Sequence, residues 1–277
     1  MAYWSSWGSD RFSQRVVRMS DSVAGVVLAA GAGQRLAPLT SLRPKAMCPV
    51  GGRPLIDWAL DRLAGAGLAG SAEVAVNAHH LQSSLIEHLS GSATVSIEAP
   101  LALGTAGALG QLRHWIDGRS VLVTNGDAWL DRADLEGFVT GWDRERTRLL
   151  VVGTGADRSD FGSARYCGVA LVPWSVVGQL EPEPSGLYEV SWEGLWEAGQ
   201  LDLVTHAGPF IDCGTPADYL AANLMSSGGA SVFGAGATIA AGAVVERAVV
   251  WDGAVVRSHE RLVDAIRTDH RLTVLIR

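Results

Sequence analysis

The chain has 277 residues, with 22 Lys and Arg against 29 Asp and Glu, a formal net charge of −7. That acidic balance excludes a protein that coats nucleic acid, which carries a basic excess. The 48% hydrophobic and 18% charged content excludes wholesale disorder.

Residues 1–22 hold arginines and aromatics but no apolar h-region, so they read as a flexible N-terminal extension and not a signal peptide, with Met19 as an alternative start. From Val23 onward short Val-rich runs alternate with helical periodicity. Residues 26–30, 74–77, 95–98, 121–124 and 149–153 are predicted strands. Residues 54–63, 81–89, 105–115 and 134–142 are predicted helices between them, with Pro54 in a first helical turn. Strict alternation of this kind predicts a mostly parallel sheet with helices on both faces, whose ligands bind beyond the carboxyl ends of the strands. Further on, 166–172 and 201–206 are predicted strands, and 188–196 and 216–225 helices. Trp192 and Trp196 have helical spacing, which predicts core packing rather than sugar stacking.

Ser226-Ser227-Gly228-Gly229 reads as a linker between a domain at 23–226 and an appendage at 230–277. In the appendage Phe233, Ile239, Val245 and Trp251 recur six residues apart, a period that indicates turns of a parallel β-helix. So few coils cannot bury their own core, and are expected to pack on the main domain or on another subunit. Cys48, Cys167 and Cys213 are scattered, which excludes a disulfide framework or a zinc cluster and fits a reducing cytoplasm. No apolar run reaches the length of a membrane span.

Chemistry concentrates after the first predicted strand, in Leu28-Ala-Ala-Gly-Ala-Gly-Gln-Arg-Leu-Ala-Pro-Leu-Thr-Ser-Leu-Arg-Pro-Lys45. Gly31 and Gly33 let backbone N–H groups approach a polyphosphate, Arg35 offers a bidentate fork, and Lys45 is a compact mobile charge. Leu36 stands where a dinucleotide fingerprint needs its third glycine, and no Gly-Lys-Ser/Thr is present, so neither a Rossmann dehydrogenase loop nor a P-loop is indicated. Lys45 is also the one lysine among the 22 basic residues.

This string closely resembles the LxAGxGxRLxPLTxxxPK signature of the sugar-1-phosphate nucleotidyltransferases, matching every fixed position. The resemblance implies a Rossmann-like α/β domain followed by a short C-terminal left-handed parallel β-helix, acting on an NTP and a sugar 1-phosphate with Mg²⁺. It implies that Arg35, Lys45 and Asp127 are catalytic, and that Leu28, Ala30, Gly31, Ala32 and Gly33 surround the nucleotide. Ala99-Pro-Leu-Ala-Leu-Gly-Thr-Ala-Gly-Ala-Leu109 looks like the base-recognition loop, with Gly104, Thr105 and Glu98 beside the base. Asp127, at the end of Thr124-Asn-Gly-Asp127, and Asp212, in Phe210-Ile-Asp-Cys-Gly-Thr-Pro, match the metal carboxylates, while Asp218 reads as a surface charge. Asn77 is expected near nucleotide or sugar, ahead of His79 and His80. Tyr166 and Gly168 are expected in the sugar pocket, and Glu189 on the sugar hydroxyls.

One departure stands out. Many relatives carry a second lysine on the sugar phosphate; here Arg158 or Arg165 would supply the charge, or Lys45 and the metal would suffice. The base loop and β-helix look most like mannose-1-phosphate guanylyltransferases, and a free Glu98 carboxylate would accept both guanine N1–H and N2–H. The Val-Asn-x-His-His-Leu and Asn-Gly-Asp-x-Trp features are instead similar to N-acetylmuramate-1-phosphate uridylyltransferases. GTP with mannose 1-phosphate or a related sugar is therefore the expected pair. UTP with N-acetylmuramate or another sugar 1-phosphate is the alternative, and an inactive nucleotide-sugar-binding regulatory subunit is a third reading. No nucleic-acid or membrane partner is expected, and self-association through the β-helix is.

Overall fold

A computed structural model describes residues 23–131, 133, 135–153, 159–269 and 272–277; the expected extension at 1–22 and Arg158 lie outside them. Seven strands form the central sheet, in the order Asp202–Thr205, Arg148–Gly153, Ala164–Val172, Ser120–Asn125, Val23–Leu28, Val74–Ala78, Thr94–Ile97. All neighbours run parallel except Ala164–Val172, which is antiparallel to both its partners. The fold is thus α/β with a mostly parallel sheet. Its central strand, Val-Ala-Gly-Val-Val-Leu, is buried at every position, as a sheet covered on both faces requires. One apolar cluster packs Leu55–Gly65 and Gln82–His88 against one face, and a second packs Gly104–Ile116 and Trp192 on the other.

Most strands begin or end within about three residues of the predicted bounds, a margin typical of element ends. Two local features differ. Pro54 lies just outside its helix, as the cap of Leu55–Gly65. The segment expected as one helix at 188–196 opens with a π-helical turn, Tyr188–Trp192, before Glu193–Glu197 continues it. Trp192 is buried as expected, but Trp196 is 40% exposed and lies edge-on to Phe161.

Helix Gly104–Ile116 has a glycine face for a physical reason. A Cβ on Gly107 would lie 2.1 Å from the carbonyl oxygen of Glu183, and one on Gly110 2.4 Å from the backbone of Glu181. The 181–185 segment is laid backbone-to-backbone along this helix, and Ala106 N–H donates to the Ser185 carbonyl at 3.0 Å.

Three pairs of C-terminal strands run parallel at a constant offset of seventeen residues, as in Val232↔Val249, Thr238↔Val255 and Val244↔Arg261, while Thr273–Leu275 pairs antiparallel with Arg261–Arg267. A strict six-residue period would close each coil in a multiple of six. The pairing offset is a residue shorter than three such periods, and left-handed backbone at Arg247 and Asp264 recurs at that same spacing. Of the six-spaced set only Trp251 is fully buried, whereas Phe233 and Ile239 are exposed. Trp251 anchors these coils to the rest of the chain: its indole N–H donates to the Tyr219 hydroxyl at 3.0 Å, and that hydroxyl donates to the Pro49 carbonyl. The helix carrying Tyr219, Pro216–Ser226, starts with Pro at its first turn and Thr215 as cap, accepting from Asp218 N–H.

Gly107→Ala is expected to lower stability by about 1–3 kcal/mol through overpacking against the 181–185 backbone. Gly65→Ala, where a Cβ meets nothing within 4 Å, is expected to be neutral. Urea unfolding midpoints for the two variants check the contrast.

Candidate active site

The strands Val23–Leu28 and Ser120–Asn125 are parallel neighbours, with Leu28 opposite Asn125. Their carboxyl ends therefore deliver the glycine-rich loop and Asp127 to one place. Gly126 permits this, since a Cβ there would press on Val27 and Ala29 at 3.1 and 3.2 Å. The 29–45 loop folds as short 3-10 turns held by Gly33, whose φ is +61°. A Cβ on Gly33 would stand 2.7 Å from Thr40 and 3.1 Å from the Cβ of Lys45, so this glycine packs the loop onto the lysine stem. Gly31 differs: nothing in the protein opposes a Cβ there, so its missing side chain leaves room for a ligand.

Asp212 ends the short strand Phe210–Asp212, which pairs antiparallel with Ala128–Leu130 and places Asp212 opposite Ala128. That register brings Asp212 beside Asp127. Between them stands the Lys45 ammonium, with Nζ 2.8 Å from Asp127 Oδ2 and 3.3 Å from Asp212 Oδ1. Burial of Lys45 opposes its charge, but the two carboxylates outweigh this and hold its pKa above the ordinary lysine value. Asp212 also draws Arg35, at 3.8 Å, and Arg165, at 3.6 Å. Arg35 is largely exposed, whereas Arg165 is partly covered and its guanidinium lies over the Phe210 ring. Gly214 leaves space for the Arg35 fork, which a Cβ would approach to 3.1 Å.

Two cavities flank this cluster. One, of about 170 Å³, is lined by Leu28, Ala30, Gly31, Asn77, Ala102, Gly104, Thr105, Asn125 and Asp127. The other, of about 250 Å³, is lined by Arg35, Arg165, Phe210, Asp212, Thr215 and Asp218 among others. Asp218 is thus no idle surface charge: it accepts from the Thr215 hydroxyl at 2.7 Å and faces the two arginines. The arrangement offers anion-binding cations on one side and a carboxylate pair at the centre. Two converging carboxylates, with space for phosphate oxygens and water, are the donor set Mg²⁺ accepts. No group of three or more potential ligands occurs among the described residues.

Several expected ligand contacts are spent on the protein itself. Glu98 is 2% exposed, its Oε1 accepting from Asn77 Nδ2 and its Oε2 from Leu103 N–H, both at 2.7 Å. Asn77 Oδ1 in turn accepts from Ala29 N–H at 2.5 Å. These bonds tie the ends of two strands to the 99–103 loop, so neither Glu98 oxygen is left without a protein partner. Thr105 Oγ1 accepts from Leu187 N–H, and Gly104, at φ +70°, would strike the Ser185 carbonyl if it bore a Cβ. His79 and His80 fasten to the carbonyls of Glu98 and Thr40.

Three sugar-pocket expectations also take other positions. The Tyr166 ring packs edge-on to Trp192, its hydroxyl is buried, and it lines neither cavity. Gly168, at φ +87°, sits where the antiparallel strand slips register beside Asn125, and a Cβ would approach Asn125 to 3.1 Å. Glu189 folds back over Gly186, in space a Cβ would fill.

One residue went unflagged in the sequence. Arg62 lies buried on the apolar face of Leu55–Gly65, donating through Nε to Thr124 Oγ1 at 3.1 Å and through Nη2 to the Asn125 carbonyl at 3.0 Å. Burial lowers its pKa to about 10, which leaves it charged at neutral pH. It clamps the backbone two residues before Asp127. An arginine sharing the helical face of Leu55, Ala59 and Leu63 was the available signal.

Comparison with known proteins matches residues 24–166 to the family model described as nucleotidyl transferase. The chain is 29% identical over 231 residues to an N-acetylmuramate α-1-phosphate uridylyltransferase of Caulobacter vibrioides, covering 71% of this chain and 94% of that protein. It is 25% identical over 230 residues to a mannose-1-phosphate guanyltransferase of Schizosaccharomyces pombe, covering 70% and 62%. A Bacillus anthracis crystal structure named for glucose-1-phosphate thymidylyltransferase superposes with a TM-score of 0.62 at 20% identity, over 74% of this chain and 95% of that one, a likeness of fold. No helix among the described residues is long and apolar enough to cross a membrane.

Glu98→Gln tests which way that side chain works. A carboxylate accepts on both oxygens, whereas an amide must turn its NH₂ toward Asn77 or Leu103, leaving a donor against a donor. The expected result is a loss of about 1–3 kcal/mol in urea unfolding. A changed base preference at unchanged stability would instead make Glu98 the base reader.

Proposed function

The chain belongs to the nucleotidyl transferase family, and from that premise we propose that it transfers a uridylyl group from UTP to a sugar 1-phosphate, releasing pyrophosphate. Nucleotidyl transfer is the class of its reaction; the base, the sugar and the residue roles are the proposal. The inward-turned Glu98 carboxylate carries the choice of base. Guanine presents two N–H donors on one edge, and the 170 Å³ cavity offers no free carboxylate to receive them away from Asp127. Uracil presents a single N–H donor flanked by two carbonyl acceptors, a pattern that backbone groups of Ala102 and Gly104 in the cavity lining can meet without a carboxylate. The extent of similarity to the N-acetylmuramate α-1-phosphate uridylyltransferase supports the same choice, with N-acetylmuramate 1-phosphate as the first sugar to test.

In this reading residues 23–226 form the catalytic domain and 230–277 a short left-handed β-helical appendage. The attacking sugar-phosphate oxygen is already ionised at neutral pH, so no general base is needed. Catalysis then consists of alignment and charge neutralisation at the α-phosphorus. Asp127 and Asp212 would hold Mg²⁺, which when bound polarises the phosphate oxygens between the two substrates. Gly31 lets the loop backbone approach the triphosphate. Arg35, exposed at the cavity rim, receives the departing pyrophosphate. Arg165 takes the place of the second lysine of other members, its guanidinium already aimed at Asp212. Lys45 supplies the mobile charge that follows the phosphates.

A pyrophosphate-release panel crossing the common NTPs with several sugar 1-phosphates in Mg²⁺ is the test. UTP is expected to exceed GTP by at least about tenfold in kcat/KM. Faster turnover of GTP would overturn the choice of base, and activity with no pair would favour the regulatory reading. Asp127→Asn is expected to reduce pyrophosphate release by at least about 100-fold while the unfolding midpoint changes little. Near-normal turnover by that variant would remove Asp127 from the metal site.

A further inference from the structure

We propose that Lys45 is a resident counter-ion that competes with the divalent metal for Asp127 and Asp212, and that the lysine must leave this position before the metal can bind. This rests on the assignment of those two aspartates as the metal carboxylates. The ammonium stands between them, 2.8 Å from one and 3.3 Å from the other. A cation bound to the same oxygens at roughly 2.0–2.1 Å would lie only about 3–4 Å from Nζ, where like charges repel strongly at a partly desolvated point. The lysine side chain is 7% exposed, so water does little to screen the clash.

The base of the stem is packed against the Gly33 turn. Lys45 lines a small cavity of about 20 Å³ together with Leu28, Gly31 and Asp127, three residues that also line the 170 Å³ cavity. Triphosphate arriving over Gly31 gives the ammonium a new anionic partner and frees both carboxylates. Nucleotide and metal therefore promote each other's binding, because each lowers the cost of moving the same lysine. The identity of the residue follows as well. An arginine here would span both carboxylates with its planar fork and hold them, whereas a point-charged ammonium on a flexible stem can let go.

The test is Mn²⁺ binding to the full chain without nucleotide, followed by the free-Mn²⁺ electron paramagnetic resonance signal. Lys45→Met, with Lys45→Gln as a second variant should the first fold poorly, is expected to bind Mn²⁺ at least about tenfold more tightly than the unaltered protein, although it loses activity. Lys45→Arg is expected to bind it several-fold more weakly. Asp127→Asn and Asp212→Asn serve as controls and are each expected to weaken binding. If both controls weaken binding while Lys45→Met and Lys45→Gln bind no more tightly than the unaltered protein, the competition is refuted and the metal site stands. If neither control weakens binding, the metal assignment itself falls, and the competition with it.

Discussion

Three pairs of residues in a short antiparallel ribbon hold this site together. Phe210–Asp212 lies antiparallel to Ala128–Leu130, and the register that sets Asp212 opposite Ala128 fixes the separation of the two carboxylates. A slip of one residue would turn Asp212 to the other face of the ribbon, because side chains alternate along a strand. The pairing is short, so its register depends on what surrounds it. Trp129 and Ile211 are packed in the same cluster as Tyr219 and Trp251, which brings the ribbon against the C-terminal strands. Residues 230–277 line neither cavity.

Around that ribbon the site is assembled from charges that partly cancel. Asp212 faces Lys45, Arg35 and Arg165, while Asp127 faces Lys45. Such a cluster is costly to bury unless every member is paired, and here most members remain partly open to solvent where the phosphates would enter. Beneath it lies a largely buried layer: Arg62 on the Asn125 carbonyl, and the chain from Ala29 through Asn77 and Glu98 to Leu103. That layer spends its polar groups on backbone and on one another, and fixes the ends of the loops that carry the charges.

Much of this was legible in the sequence. The Val-rich runs marked the central strands because a strand buried on both faces has no reason to alternate. The glycine-rich string was readable because Gly33 and Lys45 are constrained by contacts within the string itself. Glu98 was not readable in the same way. A glutamate at a strand end has one meaning if its carboxylate faces a cavity and another if it faces two N–H donors, and the second depends on Asn77, twenty-one residues away. Tyr166 and Gly168 were drawn toward a sugar pocket for the same reason, whereas beside a register slip one packs against Trp192 and the other against Asn125.

Sequence alone determined the elements, the order in which they alternate, and the chemical identity of the groups at the strand ends, since these follow from local periodicity, glycine sterics and charge. It also determined that a lone lysine would close the glycine-rich string of an otherwise arginine-based chain. Tertiary structure decided which of those groups remain available. Hydrogen-bond capacity is finite, and a side chain already satisfied by distant backbone has little left for a ligand. Only the packed fold shows that Glu98 is so occupied, that Arg165 reaches Asp212, and that Lys45 stands between two carboxylates drawn from opposite halves of the chain.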